Sequence, residues 1–443
     1  MTAMSRKEAI ARAIATRLRS AGYTAYLAGG CVRDRLLGRE PNDYDVATDA
    51  PATTVQELFD KTIPVGVQFG VVIVVHDGEP VEVATFRADA IYADGRHPTS
   101  VRFSTPEEDA RRRDFTINGM FLDPVTDTVI DYVGGQADLH AGRIRAIGDA
   151  GARIGEDRLR MLRAVRLAAR LGFLIDAETF AAIQVAAPSI VDIAWERIGD
   201  EVVRMLTDAH AGSARRAFEL LHETGLLPAV LPEVTALRGV EQSPDFHPEG
   251  DVFVHTLGLL ERLEQPSESL ALGALLHDIA KPRCAQRTAK RITFYGHCEQ
   301  GAAMAVEICQ RLRRSRETWE RVAFLVRDHL RPLTAPEMRL STLKRFLAQD
   351  GIDELLELAR LDALASNKDL TYYEFCTRKL AELSAEEITP PPLLRGQDLL
   401  ALGLEPGPRF SEILDAVSDA QLDGTLTTRE QALAWVRERF GIV

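Results

Sequence analysis

The hydrophobic pattern of the chain changes once, and this change limits the possible folds more than any other feature. Between residues 23 and 147, turns and helical stretches alternate with short stretches of strand character, at 24–28, 43–45, 71–75, 80–86, 128–132 and 143–147. From Glu156 onward helical periodicity dominates, with stops at Gly172, Gly225, Gly351 and the proline run 390–392. The sequence therefore predicts the α+β fold class, with a mixed N-terminal domain followed by a long all-α body.

Composition and charge narrow the class of protein. Of 443 residues, 46% are hydrophobic and 27% are charged, which is typical of globular domains and excludes disordered, collagen-like and disulfide-scaffold proteins. The net charge of −13 argues against nonspecific coating of nucleic acid, but it says little about a local groove. Residues 143–170 contain eight arginines and three acids, and residues 311–331 contain seven and three. Both stretches could follow an RNA backbone, with salt-bridged helices as the alternative for the second.

Cysteine usage and hydropathy bear on location. The five cysteines are an odd number without a C-x-x-C pair, so we expect reduced thiols in a cytoplasmic protein and no structural zinc. The longest strongly apolar run, 71–75, is far too short to span a bilayer, so no membrane association is expected. Residues 1–22 are arginine-rich and could pass for a transit peptide. A first helix of the fold is the favoured interpretation, because the stretch runs directly into a strand.

The first chemical signal is a glycine turn between a strand and a helix. Residues 26–28 form an apolar strand end, Gly29 and Gly30 follow, and Arg33 comes in the first turn of the next helix. Glycine lets the backbone approach a ligand closely, and a helix start offers free N–H groups to an anion. A simple turn is the alternative, since such a motif is weak by itself.

Two aspartates follow this turn. Asp43 and Asp45 fall on one face of an extended segment, because side chains alternate along a strand. Adjacent like charges repel unless a cation lies between them, and Mg²⁺ is bound by carboxylates and substrate phosphates. The alternative is a solvated turn, which residues 41–43 would also favour. With the glycine turn and Arg33, the pair favours a nucleotidyl-transfer site.

Several motifs in order resemble a known family over about the first 210 residues. The stretches GGCVRDRLLG (29–38), NDYDVATDA (42–50), RRRDFTING (111–119), GEDRLR (155–160) and ERI (196–198) resemble the class II nucleotidyltransferases of the polymerase-β type. That family comprises tRNA CCA-adding enzymes and bacterial poly(A) polymerases. The resemblance implies a polymerase-β-type head domain at the N-terminus.

The resemblance also implies roles for particular residues. Asp43 and Asp45 would be catalytic and would hold two Mg²⁺ ions, while an RNA 3′-hydroxyl attacks the α-phosphorus in line and pyrophosphate leaves. Glu82, on a strand, is a further carboxylate, although an exposed strand glutamate is common. The residues expected to bind the nucleotide are Gly29, Gly30, Arg33, Arg113, Asp157, Arg160, Arg163 and Arg166.

A helix predicted from Glu156 onward would select the base. An apolar stripe formed by 161, 165 and 168 leaves Arg163, Arg166 and Arg170 on the opposite face, and Arg170 is expected to bind RNA. Asp157 and Arg160, three residues apart, could contact the edge of an incoming base, because a carboxylate accepts from an amino group and a guanidinium donates. The alternative is local: an acidic first turn complements the helix dipole, and Glu156 pairs with Arg160.

The second chemical signal lies in the helical body. His255 precedes the adjacent pair His277 and Asp278 by 22 residues, and such groups suit a first-row transition metal. The surrounding pattern resembles an HD phosphohydrolase domain, which implies His255, His277, Asp278 and Asp362 as metal ligands. His297 and His329 are second choices, and Lys281 could contact a phosphate. An active site and a scaffold that has lost its activity both stay open.

These observations predict four domains and one leading function. The domains are a nucleotidyltransferase head (1–145), a helical neck for base recognition and RNA binding (146–242), an HD domain (243–365) and a C-terminal helical tail (366–443). The tail includes 394–408, which resembles a C-terminal segment of bacterial tRNA nucleotidyltransferases, and a helix pair ending at Phe440.

The leading function is addition of CMP, AMP or both from CTP and ATP to the acceptor end of tRNA, with no protein partner evident. Alternatives within the family are an A-adding enzyme and a poly(A) polymerase, although 65–71 resembles the tRNA enzymes. A loop at 87–105 resembles the one that family members need to switch to ATP, which disfavours CC-only addition. Alternatives of another class are an HD phosphohydrolase whose N-terminal domain binds RNA and, least favoured, a noncatalytic RNA-binding protein.

Overall fold

The protein is described by a computed structural model, which covers residues 4–66, 69–89, 101–208, 212–243, 250–287, 292–383 and 388–442. The chain divides into two compact units, Met1–Thr235 and Ala236–Val443. The expectations for 65–71 and 87–105 fall partly or largely outside the described residues. Among the described residues, no helix is both long and apolar enough to cross a membrane.

A seven-stranded mixed sheet forms the centre of the first unit, in the order β3-β4-β5-β2-β1-β8-β9. Its strands are β1 (Ala25–Ala28), β2 (Asp45–Thr48), β3 (Thr62–Gly66), β4 (Val71–His76), β5 (Glu79–Thr85), β8 (Met120–Leu122) and β9 (Val129–Asp131). Short pairs outside it are β6 (Arg87–Asp89) with β7 (Val101–Phe103), and β10 (Arg143–Ile144) with β11 (Leu174–Ile175).

The helices of the first unit are α1 (Arg6–Ser20), α2 (Gly30–Leu36), α3 (Ala52–Leu58), α4 (Pro106–Arg112), α5 (Gly135–His140), α6 (Ala150–Glu156), α7 (Leu159–Leu171), α8 (Ala177–Ala186), α9 (Trp195–Thr207), α10 (Ser213–Glu223), α11 (Leu227–Val230) and α12 (Pro232–Thr235). Helix α1, predicted as the first helix of the fold, packs against β1, β2 and β5. Short 3₁₀ helices occur at Thr116–Asn118 and Ala187–Asp192.

Alternation along the strands gives the central sheet two different faces. Leu27, Val46 and Val83 are buried, and strands β1, β2 and β5 that carry them pack against α1. Ala28 and Ala47 are offset by one position, so they lie on the other face, in a cluster with Phe86, Ala110 and Phe121. Asp45 pairs with Ala28, so this second face leads directly to the predicted site.

The second unit is nearly all helical, as predicted. Its helices are α13 (Val252–Leu260), α14 (Glu268–Leu276), α15 (Lys281–Cys284), α16 (His297–Arg311), α17 (Arg316–Asp328), α18 (Leu340–Leu347), α19 (Ile352–Ala365), α20 (Thr371–Glu382), α21 (Gly396–Ala401), α22 (Pro408–Leu422) and α23 (Arg429–Phe440). A 3₁₀ helix lies at Arg331–Glu337, and β12 (Gln286–Arg287) pairs with β13 (Ile292–Thr293). The last two helices are the predicted pair, and they share a core that includes Ile413, Val417 and Val436.

Candidate functional sites

A cavity of about 470 Å³ lies in the first unit, on the face of the sheet that carries Asp45. Its wall is formed by the glycine turn, the start of β2, the middle of β5 and helix α7. Four acids and nine arginines are among its lining residues: Asp45, Glu82, Asp114, Asp157, Arg33, Arg87, Arg112, Arg113, Arg160, Arg163, Arg166, Arg170 and Arg197. The cavity is therefore strongly basic inside a protein of net negative charge, which suits a polyphosphate ligand.

The glycine turn closes one end of this cavity. Gly29 has a φ of +76°, so its backbone conformation favours glycine, and a Cβ built on it would lie 3.0 Å from Nη1 of Arg113. Arg33 is buried and donates from Nε to Asp34 Oδ1 (2.8 Å) and from Nη1 to Asn118 Oδ1 (2.7 Å). Two of the predicted motifs, the glycine turn and residues 111–119, thus meet at Arg33.

The predicted carboxylates are joined by Glu82. Strand β2 runs parallel to β5 with Val46 opposite Val83, so Asp45 and Glu82, one position earlier on each strand, are side by side. Asp45 lines the cavity and is an exposed residue at the start of β2. Partial loss of water around its carboxylate, with repulsion from Glu82 and Asp43 and partly offset by Arg113, raises the pKa of Asp45 to about 6.

This group of acids fits a divalent cation. Asp43 is exposed just before β2 and does not line the cavity, but it is close enough to raise the pKa of Asp45. Three carboxylates with like-charge repulsion supply the hard oxygen ligands that Mg²⁺ prefers, and a cation would relieve the repulsion. The sequence indicated Glu82 only weakly, because an exposed glutamate on a strand is common and periodicity does not tell which strand lies beside β2.

The arginines around the cavity are held in place by carboxylates. Asp109 accepts from both Arg112 and Arg113, with the closest contacts at 2.7 and 3.1 Å. Asp114 accepts from Arg163 at 2.6 Å. Burial opposes ionisation of Asp114, but Arg163 and hydrogen bonds from Asn118 and the Phe115 amide lower its pKa to about 2.

The helix predicted from Glu156 is interrupted, which corrects that part of the sequence analysis. Helix α6 ends at Glu156, Asp157 is extended (φ −145°, ψ 105°), and α7 begins at Leu159. The physical reason is local: the Asp157 carboxylate accepts from the Leu159 amide at 3.0 Å, which competes with continued helix hydrogen bonding. Asp157 and Arg160 therefore do not share a first turn.

Asp157 and Arg160 both line the cavity, each with another partner. Arg197 donates to both carboxylate oxygens of Asp157 (3.2 and 2.8 Å). Arg160 donates to Glu156 Oε2 at 2.6 Å, which is the local pair that the sequence analysis kept as its alternative. Arg197 belongs to the motif 196–198 that resembles the family, but no role was predicted for it, because its contact with Asp157 depends on how α9 packs.

Two further arginines of α7, Arg166 and Arg170, differ in whether an acid pairs with them. Arg166 lines the cavity with Arg163 and Arg170, but its guanidinium is buried and donates to Glu201 Oε2 at 2.7 Å. Arg170 lines the cavity and makes no ion pair with the residues that the structure describes. In the second basic stretch, Arg314, Arg316, Arg321 and Arg327 form ion pairs with acids, as expected for salt-bridged helices.

The predicted HD residues converge in the second unit. Five helices bring them together. The residues lie in α13, just after the end of α14, at the start of α16, just after the end of α17 and in the last turn of α19. His255 Nε2 lies 3.3 Å from His277 Nε2 and 3.0 Å from Asp362 Oδ1. Asp278 Oδ2 lies 3.1 Å from His277 Nε2 and 2.7 Å from Lys281 Nζ. The second choices, His297 and His329, also approach Asp278, within 3.5 and 3.9 Å.

The positions of the histidine protons and of the carboxylate oxygens in this cluster favour binding of a metal ion. Nδ1 of His277 lies 3.0 Å from the Ala274 carbonyl oxygen, so Nδ1 carries the proton and Nε2 presents a lone pair to the cluster. Burial and His277 lower the pKa of His329 to about 4. Asp278 Oδ1 is buried and has no hydrogen-bond partner in the described part of the chain. Neutral imidazoles and carboxylates facing each other are the donors that a transition metal takes.

Comparison with known families agrees with both sites. Residues 25–145 match the family described as "Poly A polymerase head domain". Residues 172–237 match "Probable RNA and SrmB- binding site of polymerase A", and residues 251–366 match "HD domain". Residues 25–145 thus match a poly(A) polymerase head domain and residues 251–366 an HD domain, and the predicted α+β fold with a polymerase-β-type head and a helical body is confirmed.

The similar proteins are CCA-adding enzymes. The chain is 45% identical over 206 residues to the CCA-adding enzyme of Bacillus pumilus, covering 46% of this chain and 50% of that protein. It is 44% identical over 229 residues to that of Geobacillus stearothermophilus, covering 51% and 56%. The chain thus spans about half the length of the curated relatives it matches.

Solved structures extend the likeness in fold. The Bacillus stearothermophilus CCA-adding enzyme in complex with CTP has a TM-score of 0.73 at 28% identity, covering 99% of this chain and 98% of that chain. The Thermotoga maritima CCA-adding enzyme complexed with tRNA has a TM-score of 0.60 at 19% identity, covering 97% and 94%, a likeness that concerns the fold alone.

Proposed function

We propose that the protein is a tRNA nucleotidyltransferase that adds CMP and AMP from CTP and ATP to the tRNA 3′ end. The observation that carries the proposal is the placement of Asp45 and Glu82 side by side, in an arginine-lined cavity beside the glycine turn. The family of the head domain and the relatives named CCA-adding enzymes support it. Poly(A) polymerase and A-adding activity are the alternatives on the same fold.

In this proposal the carboxylates and arginines divide the work. Asp43, Asp45 and Glu82 would hold two Mg²⁺ ions beside strands β2 and β5. When bound, Mg²⁺ offsets triphosphate charge and favours ionisation of an attacking hydroxyl. Arg113, already oriented by Asp109, contacts the triphosphate, and Gly29 lets the substrate approach the backbone. The protein forms no covalent intermediate, since positioning and charge stabilisation suffice for phosphoryl transfer.

Base selection is assigned to Asp157 and Arg160. Both line the cavity, and each is oriented by a partner, Arg197 or Glu156. A carboxylate accepts from the amino group that cytosine and adenine share, and a guanidinium donates to ring or carbonyl acceptors, so the pair excludes uracil. Arg163 and Arg166 keep α7 in place, and Arg170 contacts the RNA backbone.

The test is incorporation of labelled CTP and ATP, supplied separately, into three RNAs. We expect extension of tRNA that lacks CCA with CTP, extension of tRNA that lacks only the final A with ATP, and little extension of oligoadenylate. Extension of the second RNA alone would assign A addition, and efficient extension of oligoadenylate alone would overturn the tRNA proposal.

A single substitution tests the catalytic assignment. Asp45→Asn removes a metal-binding charge with little change in volume, so incorporation should fall by at least about 100-fold, in the range lost with one transition-state charge contact. Asp60→Asn, an exposed aspartate outside the cavity, is the matched control and should retain full rate. Full incorporation by Asp45→Asn would show that the carboxylates are not catalytic.

The HD cluster favours a second activity, metal-dependent hydrolysis of phosphate esters. The supporting observation is the convergence of histidine Nε2 atoms around Asp278 next to Lys281, whose ammonium can contact a phosphate. A metal bound there would activate water for attack on phosphorus. His277→Ala should abolish hydrolysis of a phosphodiester probe and leave nucleotide incorporation unchanged, whereas Asp45→Ala should do the reverse. If His277→Ala keeps both activities, the cluster has a structural role only.

The four-domain division and the cytoplasmic location stay predictions.

A further inference from the structure

Cys298 lies among the metal-binding groups of the HD cluster, although cysteine is absent from the expected ligand set. It is the second residue of α16, directly after His297, and its Sγ is 3.6 Å from His297 Nε2. The thiol lines a cavity of about 440 Å³ that also contains Asp278 and His329. Potential ligand atoms of His297, Cys298 and His329 all lie within 4.8 Å of one another.

The two imidazoles present acceptors to this point. Nδ1 of His297 lies 2.8 Å from the Phe294 carbonyl oxygen, and Nδ1 of His329 lies 2.7 Å from that of Val326. Each Nδ1 must therefore carry the proton, which leaves the Nε2 lone pairs directed at the cluster.

Asp278 supplies a second, independent indication of a ligand. The carboxylate is 2% exposed, and its Oδ1 is buried without a hydrogen-bond partner in the described chain. Oδ1 points to the side of His297 and His329, whereas Oδ2 points to His277 and Lys281. A buried carboxylate oxygen surrounded by nitrogen lone pairs is costly unless a cation lies between them.

Two of the distances match those of a tetrahedral coordination shell. With metal–sulfur and metal–nitrogen bonds of about 2.3 and 2.05 Å, tetrahedral geometry separates sulfur and nitrogen by about 3.5 Å. The observed Sγ–Nε2 separation is 3.6 Å. The corresponding nitrogen–oxygen separation is about 3.4 Å, and His297 Nε2 and Asp278 Oδ1 are 3.5 Å apart.

We propose that His297, Cys298, His329 and Asp278 Oδ1 hold a metal ion with Cys298 as a thiolate ligand. This ion is distinct from the one expected at His255, His277, Asp278 Oδ2 and Asp362, and Asp278 bridges the two positions. The thiol loses its proton to solvent on binding. Sulfur and imidazole ligands favour Zn²⁺ or Co²⁺ over Mg²⁺, because soft donors suit borderline transition metals.

The test uses Co²⁺, whose absorption reports its ligands. The full-length protein is stripped of metal with a chelator and titrated with Co²⁺ without oxygen, while bound cobalt is counted by equilibrium dialysis. We expect two bound ions per chain and a near-ultraviolet sulfur-to-cobalt charge-transfer band. In Cys298→Ser the band should disappear, and one of the two ions should bind at least tenfold more weakly.

Controls separate ligation from loss of folding. Cys284→Ser replaces a thiol of the same unit that is outside the cluster and should keep the band and both ions. Circular dichroism should be the same for all three proteins, and Cys298→Ala provides a second variant if serine perturbs folding. A wild-type protein without the band, or a band that persists in both Cys298 variants, would overturn the proposal and leave Cys298 as a weak hydrogen-bond donor to His297.

Discussion

At the residue scale, the cavity of the first unit is lined by guanidinium groups that carboxylates hold in fixed orientations. Arg163 on Asp114, Arg113 on Asp109 and Arg197 on Asp157 are examples. A side chain that is already ordered loses little conformational entropy when a ligand binds. The wall of the cavity is therefore already ordered before the proposed nucleotide binds.

The pair formed by Asp114 and Arg163 predicts a pH dependence of stability. The pKa of Asp114 is lowered to about 2 in the folded protein, against about 3.9 in an unfolded chain. Its contribution is therefore present above about pH 4 and is lost as the pH falls toward 2. At neutral pH it amounts to about 2 kcal/mol.

Urea unfolding of wild type and Asp114→Asn checks this prediction. At pH 6 the variant should be less stable by about 2 kcal/mol, and the difference should narrow at pH 3. A difference that is independent of pH would mean that shape, and not charge, is what Asp114 contributes.

At the element scale, the motif segment 111–119 depends on a helix that lacks any motif residue. Helix α5 packs against the 3₁₀ turn Thr116–Asn118, and Thr116 Oγ1 donates to Asp138 Oδ2 at 2.7 Å. A Cβ on Gly135 would lie 2.3 Å from the Thr116 carbonyl oxygen and 2.8 Å from Met120 Cγ. The close approach of α5 therefore requires glycine at 135.

Gly135→Ala should destabilise the first unit by about 1–3 kcal/mol, the usual cost of overpacking a buried site. The control is Gly155→Ala, because Gly155 lies in α6 with nothing within 4 Å of the added carbon. That variant should be unchanged or stabilised by up to about 1 kcal/mol. Equal stability of the two variants in urea would show that α5 moves away without cost.

At the scale of the whole molecule, the chain consists of two compact units that each contain one candidate site. The arginine-lined cavity is formed by residues of the first unit, and the histidine cluster by residues of the second. Ligands of one site should therefore stabilise one unit in particular.

Calorimetry should resolve two unfolding transitions. CTP with Mg²⁺ should raise the midpoint of one transition, and Co²⁺ or Zn²⁺ should raise the midpoint of the other; 100 Kd of free ligand adds about 2.7 kcal/mol. Gly135→Ala identifies the first unit by lowering its transition. A single transition shifted equally by both ligands would contradict independent units.

The sequence by itself determined the fold class, the change to a helical body, and the residue types at both sites. Periodicity and glycine placement report local structure and burial, so α1, the glycine turn and the helix pair α22 and α23 could be predicted. Motif order then identified the family, which the comparisons confirmed.

Only the tertiary structure decided which distant side chains meet. Strand register placed Glu82 beside Asp45. Helix packing brought Arg197 to Asp157, buried Arg166 against Glu201, and gathered His297 and Cys298 with His329. Neither register nor helix packing follows from local periodicity, because both depend on contacts between segments far apart in the chain. Which of the candidate metal-binding groups face each other in each site is therefore known only from the folded structure.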